Sequence, residues 1–149
     1  MKVLIAVEST QATVQTLDMA CSLFADRPVE LTLLYVIPLH MALGAGGPVP
    51  VECYDLDQER AEGEALIDRC KTQLKACGVG SHLETEIALG DPAEVILSMA
   101  AEQASDLIML GSRGRGLLKR TLLGSVSTKV MTHAHCAVLV AHQRAEQVV

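Results

Sequence analysis

A chain of 149 residues, half of them apolar, has the material for one buried core and reads as a single domain, 1–149. Only three residues are aromatic, none is Trp, and 18 acidic residues against 12 basic ones leave a net charge of −6. That balance argues against general nucleic-acid binding, which needs basic patches and stacking rings, and no segment approaches the ~20 apolar residues that cross a bilayer.

Residues 3–7, VLIAV, form a continuous apolar run, the pattern of a strand covered on both faces. The run is too short for the apolar region of a signal peptide, so a cytoplasmic location is expected. Ser9 and Thr10 are placed to cap a following helix, in which Val14, Leu17, Cys21 and Phe24 keep helical spacing. Residues 31–37, LTLLYVI, predict a second buried strand stopped by Pro38. The Gly- and Pro-rich stretch after it predicts a mobile surface loop over about 38–52, without regular structure. From Tyr54 to Cys77 the pattern is helical, with Ala61, Ala65, Leu66, Cys70 and Leu74 on one side and glycines at 78 and 80 ending it.

Residues 82–88, HLETEIA, alternate between apolar and polar, as in a half-exposed edge strand. The next segment, GDPAEVI, opens a helix: Asp91 caps, Pro92 takes the first position and Glu94 stands three residues after the cap. Residues 106–110, DLIML, predict another buried strand. A helix over about 122–133 and a final strand AVLVA, 137–141, follow. Strands and helices alternate throughout. The expected fold is α/β: one doubly wound, Rossmann-like, five-stranded parallel sheet, order 3-2-1-4-5, with helices on both faces.

The five cysteines, 21, 53, 70, 77 and 136, show no CxxC spacing, so neither a disulfide framework nor a zinc site is expected. They read as small apolar fillers in a reducing compartment. His133, His135 and His142 stand at element ends and do not form a ligand pattern.

In an open parallel sheet, ligands bind beyond the carboxyl ends of the strands where the winding reverses. For this order the crevice lies between the first and fourth strands, where the loop from Glu8 meets GSRG, 111–114. Gly111 and Gly114 allow close backbone approach. Gly124-Ser125-Val126-Ser127 resembles a helix start with free N–H donors, which favours an anion. Two readings stand: a phosphate cradle, or an ordinary glycine-rich turn. Leu117 occupies the Walker A lysine position and Lys119 interrupts a GxGxxG match, so neither standard phosphate motif applies.

The pattern that fits is G-x2-G-x9-G-[ST], met by Gly111, Gly114, Gly124 and Ser125. With VLIAVEST, GDPAEVI, DLIMLGSRG, LLGSVSTKV and AVLVA in order, the whole chain resembles the universal stress protein family, in its ATP-binding branch. The resemblance implies a nucleotide-dependent stress-response dimer holding ATP, with Mg²⁺ or Mn²⁺ as the accompanying cation. Ala6, Val7, Glu8 and Val36 match the adenosine side of the family pocket. Leu110, Gly111, Arg113, Gly114, Gly124, Ser125, Val126 and Ser127 match the ribose and phosphate side. Glu8 stands where the family usually has Asp, and Ala137 where many members have Pro. The resemblance also implies a homodimer through the last strand, Ala137 to Ala141, and leaves room for a protein partner. A slow ATP hydrolase or nucleotidyl-transfer enzyme is the alternative on this scaffold, although VEST replaces the SGGxDS-type loop such transfer enzymes use. A nucleotide-free dimeric interaction module is the third reading. Neither Ser112 nor Ser125 has a His or Lys at a spacing suited to a nucleophile and its base, so no catalytic residue is assigned.

Overall fold

The computed structural model describes residues 1–38, 43–44, 47–48, 56–112 and 123–142. Strand β1 (Lys2–Val7) leads through helix α1 (Gln11–Phe24) to β2 (Glu30–Pro38). Two very short strands, β3 (Leu43–Gly44) and β4 (Gly47–Pro48), precede α2 (Leu56–Ala76) and β5 (His82–Gly90). Then come α3 (Pro92–Glu102), β6 (Leu107–Gly111), α4 (Ser125–His133) and β7 (Ala137–Ala141). The long strands form one parallel sheet in the order β5-β2-β1-β6-β7. Counting only these five, that is the expected order 3-2-1-4-5.

The strands read as apolar runs because both faces are covered. On one face Val3, Ile5 and Val7 of β1 join Leu31, Leu33, Tyr35 and Ile37 of β2 under α1 and α2, which contribute Leu17, Phe24, Leu66, Ile67 and Leu74. On the other, Leu4, Leu34, Ile108 and Leu110 pack under Ala93, Ile96 and Ala100 of α3 and Val130 of α4. The two-residue period of β1 thus divides its side chains between two separate cores. Strand β5 has no fully buried residue; only Leu83 and Ile87 lean on the first core and Ala88 on the second.

Several expectations are corrected. The buried stripe of α1 is Ala12, Thr13, Thr16, Leu17, Ala20 and Phe24, whereas Val14 is exposed. Small and hydroxylic residues face the sheet because α1 lies close to it, a constraint that apolar spacing does not reveal. Helix α2 likewise buries Gly63, Leu66, Ile67, Cys70 and Leu74, and leaves Ala61 and Ala65 exposed. A Cβ on Gly63 would stand 2.5 Å from the Tyr35 ring, so glycine is what admits the helix over that ring. The segment after β2 was expected to lack regular structure, yet Leu43–Gly44 pairs antiparallel with Gly47–Pro48. The remainder of 38–52 beyond Pro38 lies outside the described residues.

The cysteine reading is also corrected. Cys21, in the last turn of α1, and Cys77, just past α2, form a disulfide with their Cα atoms 5.8 Å apart. They are 56 positions apart in sequence and meet only because both helices end at the same side of the sheet. Local spacing does not encode that encounter. Cys70 is a buried free thiol, and burial pushes its pKa up to about 11. Burial, then the nearby Asp106 carboxylate, also raises the free Cys136 thiol.

The Gly63–Tyr35 contact yields a prediction with an unusual sign. Glycine to alanine inside a helix ordinarily gains about 1 kcal/mol of propensity. Here the added methyl must displace a fully buried ring, an overpacking that costs about 1–3 kcal/mol. Gly63→Ala is expected to lower the thermal midpoint, measured by circular dichroism; a rise would show that the helix moves off Tyr35 freely.

Candidate functional site at the parting of two strands

Strands β1 and β6 pair through Val3–Leu107, Leu4–Ile108 and Ile5–Met109, and the ladder ends there. Both strands continue for two residues: Val7 still pairs with Tyr35 of β2, and Gly111 with Ala141 of β7. The sheet therefore opens between β1 and β6 at their carboxyl ends while remaining intact on either side. This is also where α1 and α4 turn to opposite faces, the topological switch point.

Ala6, Val7 and Glu8 line the β1 side. Ala6 is half-buried toward the α3–α4 face and Val7 is buried toward α1. Val36 lies in the neighbouring strand, half-buried on the same face as Ala6. A residue that spacing did not single out holds this side in place. The Thr13 hydroxyl donates to the Glu8 carbonyl at 2.6 Å and accepts from the Glu8 N–H at 2.9 Å. Thr13 is 4% exposed, so both backbone groups of Glu8 are satisfied by one buried hydroxyl. A Thr five residues after an acidic strand end is the only signal in the sequence, and it is a weak one.

Leu110, Gly111, Gly124, Ser125, Val126 and Ser127 gather on the β6 side. The Gly124 N–H donates to the Ser112 carbonyl at 2.7 Å, so the start of α4 is tied to the end of β6. The Ser127 hydroxyl points into this closure, 3.1 Å from the Gly124 carbonyl and 3.4 Å from that of Ser112. The two ends of the long loop are thus brought together, as the spacing of Gly111 and Gly124 suggests. Arg113 and Gly114 lie outside the described residues, together with the cations at 115, 119 and 120. Gly111 also has a packing reason: a Cβ there would collide with the Cβ of Ala12 in the first turn of α1.

The helix ends differ in a consistent way. Asp91 caps α3 by accepting from the Glu94 N–H at 3.0 Å. Lys129 of α4 pairs with Glu94 and lies 3.7 Å from Asp91, and its hydrogen bond to Glu94 raises its pKa. Helices α1 and α4, which flank the opening, have no side-chain cap and no acid in their first turns. Thr10 takes the N-cap position of α1, but its hydroxyl is buried and finds no partner among the described residues, contrary to the capping expected of it. Gly124 caps α4 without a side chain, and the first helical bond runs from Thr128 to Gly124. The N–H groups of Ser125, Val126 and Ser127 consequently have no carbonyl within the helix to bond. Uncapped donors and the positive end of the dipole suit an anion.

His133 lies apart from this opening, at the far end of α4, its Nδ1 2.9 Å from the Lys129 carbonyl. His135 and His142 are exposed at the two ends of β7. A shallow groove lined by Asp68, Arg69, Thr72, Gln73 and Ala76 runs along the outside of α2 and touches none of the expected site residues.

The comparisons agree with this architecture. The hypothetical protein MJ0577 superposes with a TM-score of 0.76 at 25% identity, covering 97% of this chain and 96% of that one. An Arabidopsis thaliana universal stress protein family protein with AMP bound superposes at 0.69 and 24% identity, covering 100% and 95%. In sequence, universal stress protein YxiE of Bacillus subtilis is 34% identical over 145 residues, covering 93% of this chain and 97% of the relative. A profile of the universal stress protein family matches residues 1–142. The chain belongs to the universal stress protein family.

Proposed function

We propose that this protein binds ATP in the opening between β1 and β6 and acts as a nucleotide-dependent regulatory dimer. The observation that carries the reading is the pair of uncapped, acid-free helix starts on either side of the split strands. The phosphates sit against the N–H groups of Ser125, Val126 and Ser127 and the end of β6; the family pattern adds Arg113 and Gly114, which lie outside the described residues. Adenosine lies along Ala6, Val7, Glu8 and Val36. The glycine spacing of the ATP-binding branch supports a triphosphate, and the AMP-bound Arabidopsis neighbour supplies an adenine-nucleotide precedent for the fold. Mg²⁺ or Mn²⁺ enters with the phosphates; among the described residues no group of three or more His, Cys, Asp and Glu side chains is gathered to hold a metal alone.

The dimer forms through β7. Among the described residues it pairs only with β6, and its Val138, Leu139 and Val140 are half-buried apolar residues on an open edge. A second copy adding its own β7 would complete the backbone hydrogen bonds and cover these side chains.

Denaturing the purified protein and identifying any released nucleotide by mass spectrometry tests the assignment directly. ATP is expected. No nucleotide, with no thermal shift on adding ATP and Mg²⁺, would sink the reading; rapid ATP turnover would move it to the hydrolase class.

Substitutions at two positions test the geometry. Gly124 has φ −62°, a conformation open to any residue, so Gly124→Asp is expected to keep the fold and cap α4. Its carboxylate would occupy the free donors and repel phosphate, lowering ATP affinity at least about tenfold by titration calorimetry. Unchanged affinity would remove the α4 terminus from the site. Thr13→Val removes the buried acceptor of the Glu8 N–H, while the Glu8 carbonyl keeps its bond from the Thr10 N–H, and a loss of about 1–3 kcal/mol in stability is expected by urea titration. Thr13→Ser keeps the hydroxyl and is expected to retain most of that stability together with nucleotide affinity.

A further inference from the structure

We propose that Cys21 and Cys77 form a reversible thiol–disulfide site that exchanges with low-molecular-weight disulfides and thiols and sets the stability of the α1–α2 layer. The pair lies at the amino-terminal edge of the sheet, opposite the nucleotide opening. Both residues are half-buried, packed against the first core yet open to solvent on one side. An exchanging thiol can approach; Cys70, wholly buried on the inner face of α2, offers no such access.

The surroundings hold the two helix ends together whether or not the bond is closed. Gln73 of α2 donates to the Asp18 carboxylate of α1 at 2.9 Å. The Asp26 N–H, just past α1, donates to the Gly78 carbonyl just past α2 at 3.4 Å. Cys77 Sγ lies 3.1 Å from the Leu74 carbonyl, so a free thiol there has an acceptor ready. The reduced form thus keeps the two sulfurs neighbours, with an acceptor at hand for Cys77, and oxidation needs little backbone movement across a Cα separation of 5.8 Å.

Both sulfurs also stand at helix carboxyl ends, where the dipole disfavours a thiolate. A thiol that ionises reluctantly is a poor attacking and leaving group, so exchange is slow and the site acts as a clamp. In the oxidising direction, the thiolate of one cysteine attacks a small disulfide, forms a mixed disulfide and expels one thiolate. The second cysteine then attacks the protein sulfur of that bond and expels the other. Two protein thiols are oxidised, one small disulfide is reduced to two thiols, and those thiols take up the two protons.

The closed bond spans 56 positions, from the end of α1 through β2 to the end of α2. Closing so long a loop restricts the unfolded chain, and roughly a 10 °C rise in thermal midpoint is expected. The test uses the full chain equilibrated over a series of oxidised and reduced glutathione ratios, followed by alkylation, peptide mapping and thermal melts. Expected is the joint loss of the Cys21 and Cys77 thiols, their recovery with dithiothreitol in native buffer, and a higher midpoint for the oxidised form. The Cys21→Ala/Cys77→Ala variant should melt at one temperature regardless of the glutathione ratio. Any of three results overturns the proposal: both thiols alkylated under fully oxidising conditions, a bond that opens only after denaturation, or equal midpoints for the two wild-type forms. Since the wild-type comparison needs no variant, failure of the double variant to fold leaves these outcomes decisive.

Discussion

The carboxyl end of the sheet depends on the backbone of one buried residue, Ser112, which is 3% exposed. Its N–H donates to the Ala141 carbonyl at 2.8 Å, extending the β6–β7 pairing past Gly111. Its carbonyl accepts from the Gly124 N–H and faces the Ser127 hydroxyl. Three elements, β6, β7 and α4, are therefore joined at the backbone of a single residue. Because these bonds are buried, leaving any of them unmade would cost about 1–3 kcal/mol, and α4 has little freedom to begin elsewhere.

Thr13 does for β1 what Ser112 does for β6. It bonds both backbone groups of Glu8 from within α1, the carbonyl accepting a second bond from the Thr10 N–H, and α1 in turn presses Ala12 against Gly111. The two sides of the opening are thus positioned by the same helix: one side by hydrogen bonds, the other by contact. Beyond Ile5 and Met109 each strand keeps only its other neighbour, β1 still pairing with β2 and β6 with β7. The opening is a consequence of topology before it is a feature of any ligand.

Much of this was legible in the sequence for identifiable reasons. Apolar runs such as VLIAV mark strands covered on both faces, and Asp91-Pro92 with Glu94 marks a helix start whose cap, Asp91 accepting from the Glu94 N–H, the structure reproduces. Helix faces were harder to read where close packing selects small residues. Gly63 over Tyr35 and Ala12 beside Gly111 are dictated by distance to the sheet, which periodicity does not report. The disulfide was invisible because Cys21 and Cys77 become neighbours only through the tertiary path. At the site, the glycine spacing indicated that two loop ends meet, but not why. Gly111 answers to a neighbouring methyl, whereas Gly124 has an ordinary φ and owes its place to nothing in its own backbone.

That contrast bears on the proposed binding of an anion by a chain of net charge −6. Its acids are not spread evenly over the helix starts. Asp57 and Glu59 occupy the first turn of α2 and Glu94 that of α3, where the latter is neutralised by Lys129. The first turns of α1 and α4 have none. A helix dipole acts over about one turn and is worth only about 0.3–1 kcal/mol per interacting charge at an exposed site, so a single carboxylate there would cancel it. Keeping those two turns free of acid therefore matters more than the overall charge. In the proposed site the donors at the start of α4, held by the bond from Gly124 to Ser112, would face the phosphates, and the protein's net negative charge is no bar to a field that acts over a single turn.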